Sequence, residues 1–141
     1  MNEHTKPAPV PDRDTQPFWD ACQAHELRAQ QCTSCGRFRW PPQPFCPSCY
    51  SWEYEWRLLS GLGQVESFTV VQHTAVPSFK NDLPYVVALV ALDGTDNRVL
   101  LTSNAVGCSW EDVTVGMRVD VAFNEVSPEA TLPQFRPANA R

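Results

Sequence analysis

The sequence predicts a mainly β chain in three parts: a short N-terminal helix, a four-cysteine metal ribbon and a C-terminal five-stranded barrel. Three observations carry that expectation. Residues 32–49 read CTSCGRFRWPPQPFCPSC, two C-x2-C knuckles separated by ten residues. From residue 51 onward the texture turns to short runs of alternating or β-branched residues. Finally, 13 prolines against 6 glycines in 141 residues indicate many rigid connections between short elements.

A C-x2-C knuckle turns back on itself tightly enough to aim two sulfurs at one point, and two facing knuckles supply four thiolates in a tetrahedron. Cys32, Cys35, Cys46 and Cys49 are therefore the expected metal ligands. Gly36 follows one knuckle, where positive φ is needed, and Pro47 stiffens the other. Disulfides belong to exported chains, whereas residues 1–17 are polar and proline-rich without an apolar core segment. A dithiol redox centre needs one pair in a βαβ setting. Iron remains an alternative, since similar knuckles bind it in rubredoxin. Zinc is preferred because electron transfer does not need the long β-rich remainder. With all four positions filled by sulfur, the ion is expected to be structural.

At 43% hydrophobic the chain can fill a core, and its longest apolar stretch, residues 85–92, has strand length rather than membrane length. A soluble, cytoplasmic protein is expected. The formal charge is −5, and four metal-bound thiolates add to it, which disfavours binding along a phosphate backbone.

In chain order, residues 1–13 carry three prolines and little that is large and apolar, so they read as a flexible arm. Asp14 or Thr15 is a candidate N-cap with Pro17 in the first turn, and Phe18, Trp19, Cys22 and Glu26 recur at helical steps. A helix is expected over 16–30 within an N-terminal unit of 14–31. Phe18 and Trp19 are expected to face the ribbon or another protein. Within the ribbon, 32–50, the aromatics Phe38, Trp40 and Phe45 lie among three prolines. They either shield the thiolates or form a docking surface, because so small a unit has no depth to hide three rings.

The barrel is expected over 51–126. Trp52, Tyr54, Trp56 and Leu58 alternate with Glu53, Glu55 and Arg57, a first strand with one apolar face. Two glycines then lead into QVESFTVVQ at 64–72, and a long loop over 73–84 precedes the continuously apolar YVVALVAL at 85–92. A turn at 93–97 returns into 98–102. Ser109 and Asp112 suggest a capping box for one helical turn carrying Trp110, and MRVDVAFN at 117–124 is the fifth strand. Five short strands with one helical turn between the fourth and fifth are what an OB-type barrel needs. The tail, 127–141, lacks periodicity and is expected to wrap the barrel or a partner.

These pieces, in order, carry a resemblance. A helix with FW, the C-x2-C-G to C-P-x-C ribbon, QVESFTVV, PYVVALVALDG, NAVGC, VGMRVDVAF and a terminal LPQFRP together resemble the zinc-ribbon and OB-fold family known as domain of unknown function 35. The likeness spans about residues 15–137. It implies a rubredoxin-like ribbon with Zn²⁺ on the four cysteines already named. It also implies an accessory subunit that binds enzymes of acyl-CoA metabolism and helps form the acyl-CoA channel. Those enzymes are thiolase-like proteins, including retro-aldolases acting on steroid side-chain CoA thioesters, and MaoC-like enoyl-CoA hydratases. A heterotetramer with two copies of each chain is the expected assembly, since thiolase-like enzymes are usually dimers.

Independent catalysis finds little support in the residues. General acid–base chemistry needs a titratable group held at the reacting atom. His4 falls in the arm and His25 on the expected helix, while His73 sits at a strand end beside the long loop without a triad partner. His73, Phe79 and Lys80 are candidate contacts to the CoA moiety. Cys22 and Cys108 read as small packing residues, and Gly61-Leu62-Gly63 lacks what a phosphate-cradling loop requires. Two other classes stand beside the accessory-subunit reading: an OB-fold nucleic-acid binder stacking bases on Phe68 or Tyr85, and a rubredoxin-like electron carrier.

Overall fold

The structure is a computed structural model that describes residues 6–138. One helix, α1 (Gln16–Gln23), is followed by β1 (Arg28–Cys32), β2 (Phe38–Arg39) and β3 (Tyr54–Leu58), which form a three-stranded sheet in the order β2-β1-β3. The remaining strands are β4 (Leu62–Val71), β5 (Tyr85–Leu92), β6 (Leu100–Ala105), β7 (Arg118–Ser127) and β8 (Ala130–Pro137). They close into a barrel of order β4-β5-β6-β8-β7, with β4 also pairing β7. The expected architecture of helix, ribbon and five-stranded barrel is present. Among the described residues no helix is long and apolar enough to cross a membrane.

The helix is eight residues long rather than fifteen. Ala24 caps it and His25 adopts φ 58°, which ends the helical path. The residues assigned to its second half instead form β1, because there they find backbone partners on both sides, Gln30 opposite Arg39 in β2 and opposite Trp56 in β3. Thr15 occupies the N-cap without capping through its side chain. Asp12 organises the entry, its carboxylate accepting from the Asp14 and Thr15 N–H groups at 2.9 and 2.8 Å.

The barrel has five strands, but not the five expected. The first predicted strand, β3, pairs with β1 over five residue pairs and belongs to the ribbon sheet. The tail supplies the missing member: β8 pairs antiparallel with β7 from Val119↔Pro137 to Ser127↔Ala130. Its prolines concealed it. The Pro133 and Phe135 carbonyls turn toward β6, accepting from Ser103 Oγ and Val106 N–H. The N–H that Pro133 lacks therefore falls on the β6 seam, where the ladder is a single parallel register pair, Ala105↔Phe135. A side-chain bond adds to that seam, Gln134 Nε2 donating to Asn104 Oδ1 at 3.3 Å, and Asn104 Nδ2 in turn donates to the Val86 carbonyl of β5 at 2.9 Å.

The core runs through both parts. Val65, Val90, Val99, Val119 and Phe135 are wholly buried in the barrel, and Phe18, Cys22, Leu27 and Leu59 continue the same cluster beneath the helix and ribbon. At the base of β4 the backbones pack closely: a Cβ on Gly63 would lie 2.7 Å from the Ala91 carbonyl oxygen, and Gly61 sits at φ +87°. The loop over 73–84 contains a 3₁₀ turn, Pro77–Asp82, and a second, Trp110–Asp112, is capped by the Ser109 hydroxyl accepting from Glu111 N–H at 3.3 Å.

Candidate functional site

The four cysteines converge. Each knuckle is a backbone turn, closed by Gly36 N–H to the Cys32 carbonyl at 2.9 Å and by Tyr50 N–H to the Cys46 carbonyl at 2.8 Å. Gly36 at φ +80° and Tyr50 at φ 65° supply the left-handed residues that reverse the chain under the sulfurs. All four Sγ atoms lie within 4.8 Å of one another, with Cys32–Cys49 at 3.6 Å and Cys35–Cys46 at 3.7 Å. A tetrahedron with metal–sulfur bonds of about 2.3 Å has edges of about 3.8 Å. The donor set therefore fits a tetrahedral thiophilic ion.

Electrostatics prepares part of the set for thiolate. The Cys35 N–H aimed at Cys32 lowers that thiol to about 6, and the Cys49 N–H lowers Cys46. Cys49 moves the other way, to about 11: the Ser51 N–H favours its thiolate, but burial and the three neighbouring sulfurs oppose it and prevail. A divalent cation at the centre would offset the sulfur–sulfur repulsion that raises Cys49. Cys32 and Cys46 are buried while Cys35 and Cys49 lie at the surface.

The aromatic residues separate into two groups. Phe18 is 4% exposed and packs edge-on against Trp19 and tilted at 60° against Trp40, with centroids 5.1 and 5.0 Å away. It belongs to the core and offers no surface to another protein, which corrects its assignment as an interface residue. Trp19, Phe38 and Trp40 are half-buried against the same cluster, and Phe45 is exposed, 5.6 Å from Trp52. Sequence reasoning missed the larger exposed set, Tyr50, Trp52, Tyr54 and Leu58, with Trp52 69% and Tyr50 72% exposed. For Trp52, Tyr54 and Leu58 the signal is the alternation that the sequence assigns to the first strand of the barrel. Among the described residues nothing covers the outer face of β3, where Tyr54 and Leu58 are exposed.

Two recesses lie over the β6/β8 seam. One, of about 310 Å³, is walled by Trp19, Trp40, Pro41, Leu132 and Pro133. The other, of about 450 Å³, takes in Phe79, Tyr85, Cys108 and Trp110. Asn104 and Gln134 border both. Of the three residues expected to touch CoA, only Phe79 lines a recess, its ring tilted against that of Tyr85 with centroids 5.9 Å apart, whereas His73 and Lys80 are exposed outside it. The other titratable candidates are engaged or insulated. His25 bonds Glu125 at 2.8 Å and stacks on Phe123, burial pushes the Cys22 thiol up to about 12, and burial with the nearby Asp112 raises Cys108. His4 lies outside the described residues.

Comparison with known proteins places both parts. Residues 19–55 match the family model described as ChsH2, rubredoxin-like zinc ribbon domain, and residues 56–124 match ChsH2, C-terminal OB-fold domain. A probable enoyl-CoA hydratase alpha subunit of Thermomonospora curvata is 40% identical over 94% of this chain, which spans 40% of that protein's length. A DUF35 domain-containing scaffold protein of Methanocaldococcus jannaschii is 34% identical over 70% of this chain and 68% of its own. The solved structure described as Ltp2-ChsH2(DUF35) aldolase contains a chain that superposes with TM-score 0.84 at 38% identity, covering 93% of this chain and 99% of that one. By its ribbon, its barrel and these relatives, the chain belongs to the DUF35 family of zinc-ribbon and OB-fold proteins.

Proposed function

We propose that this chain is a non-catalytic accessory subunit of a cytoplasmic acyl-CoA-processing complex. It binds a thiolase-like enzyme, a retro-aldolase or thiolase, stabilises it and helps form the path of the acyl-CoA. The observation that carries this reading is the near-complete match to a chain of the Ltp2-ChsH2(DUF35) aldolase. Two features of this molecule support it. The ribbon presents Phe45, Tyr50 and Trp52 uncovered, the aromatic composition that protein interfaces favour. The recesses over the β6/β8 seam give an apolar chain a place to lie, with Phe79 at the edge of the larger one.

In this reading Cys32, Cys35, Cys46 and Cys49 hold Zn²⁺, which supplies rigidity and no reactive coordination position. Trp19, Phe38, Trp40 and Phe45 frame the docking face, while the 73–84 loop, with His73, Phe79 and Lys80, borders the pantetheine path. Steroid side-chain CoA thioesters are the substrate class to test first, and two copies of each chain form the complex.

A second reading, a MaoC-like enoyl-CoA hydratase as the partner, is favoured by the 40% identity to the hydratase alpha subunit. Co-expression with a thiolase-like or a hydratase-like neighbour distinguishes them. A stable heteromer with activity that neither chain has alone is expected with the thiolase-like partner. Independent monomers with full partner activity overturn the accessory role altogether.

A further inference from the structure

Among the described residues Arg39 is the one buried arginine. Four others, Arg28, Arg57, Arg118 and Arg136, pair at the surface with Glu26, Glu55, Asp93 and Asp120. Arg39 is 2% exposed and has no carboxylate partner among the described residues. Its Nη1 donates to the Gln43 carbonyl at 3.2 Å and its Nη2 to the Glu53 carbonyl at 3.4 Å, while its buried Nε has no acceptor at all. A guanidinium is a permanent cation, and an uncompensated one is among the most unfavourable things a protein can enclose.

Its surroundings indicate the compensation. The Glu53 carbonyl that accepts from Arg39 also accepts from the N–H of Thr33 at 3.3 Å, the residue after Cys32. The guanidinium lies 4.8 Å over the ring of Tyr54, whose Cα is paired with that of Cys32. Arg39 is therefore linked, through the Glu53 carbonyl, to the residue that follows a sulfur ligand. Four thiolates around a divalent ion carry a net charge of about −2, and in a low-dielectric setting such a charge acts beyond direct contact.

We propose that Arg39 is the internal counter-charge of the four-sulfur centre, a positioning residue whose buried cation holds the metal in place. The same side chain ties that charge to the loop between the knuckles. Gln43 is gripped at its carbonyl by Arg39 and at its N–H by Gln30 Oε1 at 2.9 Å. Trp40 and Phe45 flank that grip, so the aromatic face is set by the group that stabilises the metal. Arg37 provides the contrast: it is exposed and its guanidinium donates to Ser48 Oγ at 3.1 Å, where solvent screens its charge.

The inference rests on thiolate coordination of the metal, and the test separates the two. Cobalt(II) is loaded into the reduced, full-length protein, and its sulfur-to-metal charge-transfer band is followed under chelator competition. Arg39→Met is expected to weaken cobalt binding by about 10–100-fold, as loss of an outer-shell partner does at other metal sites. Arg39→Lys keeps the charge, loses the fork, and is expected to stay within about threefold of wild type, as is Arg37→Met. Unchanged binding in Arg39→Met, or a loss in Arg39→Lys as large as in Arg39→Met, overturns the proposal. Should Arg39→Met not fold, Arg39→Lys decides alone, since a tenfold loss there refutes the role of charge. A wild-type protein that yields no charge-transfer band overturns both this inference and thiolate coordination.

Discussion

The ribbon and the barrel reach rigidity by opposite routes. The ribbon sheet includes one strand of only two residues, leaves Trp52 and Tyr50 largely exposed, and converges on four sulfurs within 18 consecutive residues. Among the described residues the barrel has no metal-ligand cluster. It is closed by pairings such as Val119↔Pro137 and Leu62↔Asp120, and it is filled by side chains with no exposure at all. A unit held at one point can leave its aromatic surface uncovered for another protein, whereas a unit held by burial must spend its apolar residues inward. The comparison also has a limit, because Phe18, Leu27 and Leu59 join the two parts in one core.

The sharpest way to break this contrast is to remove a sulfur. Cys46→Ser is expected to abolish soluble expression, since metal-linked folding in small fingers is worth about 10–16 kcal/mol and a typical domain has only about 5–15. Soluble protein that still forms the complex would show that the ribbon holds without its ion. The wild-type protein should be colourless with one equivalent of zinc, and a red chromophore would establish iron and revive the electron-carrier reading. In the barrel, Phe135→Ala should lower stability by about 3–5 kcal/mol in denaturant titration while leaving zinc content at wild type. Phe18→Ala is expected to cost a similar amount, because the ring is core; a loss of partner affinity at unchanged stability would restore it to the interface.

Trp52→Ala sharpens the comparison from the other side. Stability should move by less than about 0.5 kcal/mol, while affinity for the co-expressed partner falls by about 2 kcal/mol or more if the exposed face is the docking surface. Calorimetric binding that is indifferent to Trp52 would assign the partner to another face. The smallest effect is at the barrel surface, where the Arg118 guanidinium bonded to Asp93 holds its carboxyl below the usual range. A lowered pKa adds stability that is present above the ordinary carboxylate value of 3.8 and is lost as pH falls through the folded-state value. Asp93→Asn should therefore cost less than about 1 kcal/mol at neutral pH, less still in high salt, and nothing in acid. Thermal unfolding from neutral pH to pH 2 reads this directly.

Legibility followed the same division. The metal set could be read from spacing because a C-x2-C pair positions its own sulfurs, and Ser109 could be read as a cap because capping is local. Helix length could not, since Arg28–Cys32 is drawn into strand by two neighbours distant in sequence. Nor could the membership of the barrel, because alternation in Tyr54–Leu58 reports two faces without saying which sheet they belong to. In Ala130–Pro137 the prolines mask a strand that only its particular seam tolerates. Of the candidate site, the sulfurs were visible and the face was not.

By itself, then, the amino-acid sequence determined the parts list of this protein: one sulfur cage, a helix start, four of the five barrel strands and a net charge of −5. Each of those follows from interactions spanning a few residues. Tertiary structure alone decided that β8 rather than β3 closes the barrel, that Phe18 goes inside while Trp52 stays out, and that Arg39 is buried within the ribbon. Those outcomes depend on which surfaces meet, and the free energy of such meetings is shared among residues too far apart along the chain for any local pattern to record it.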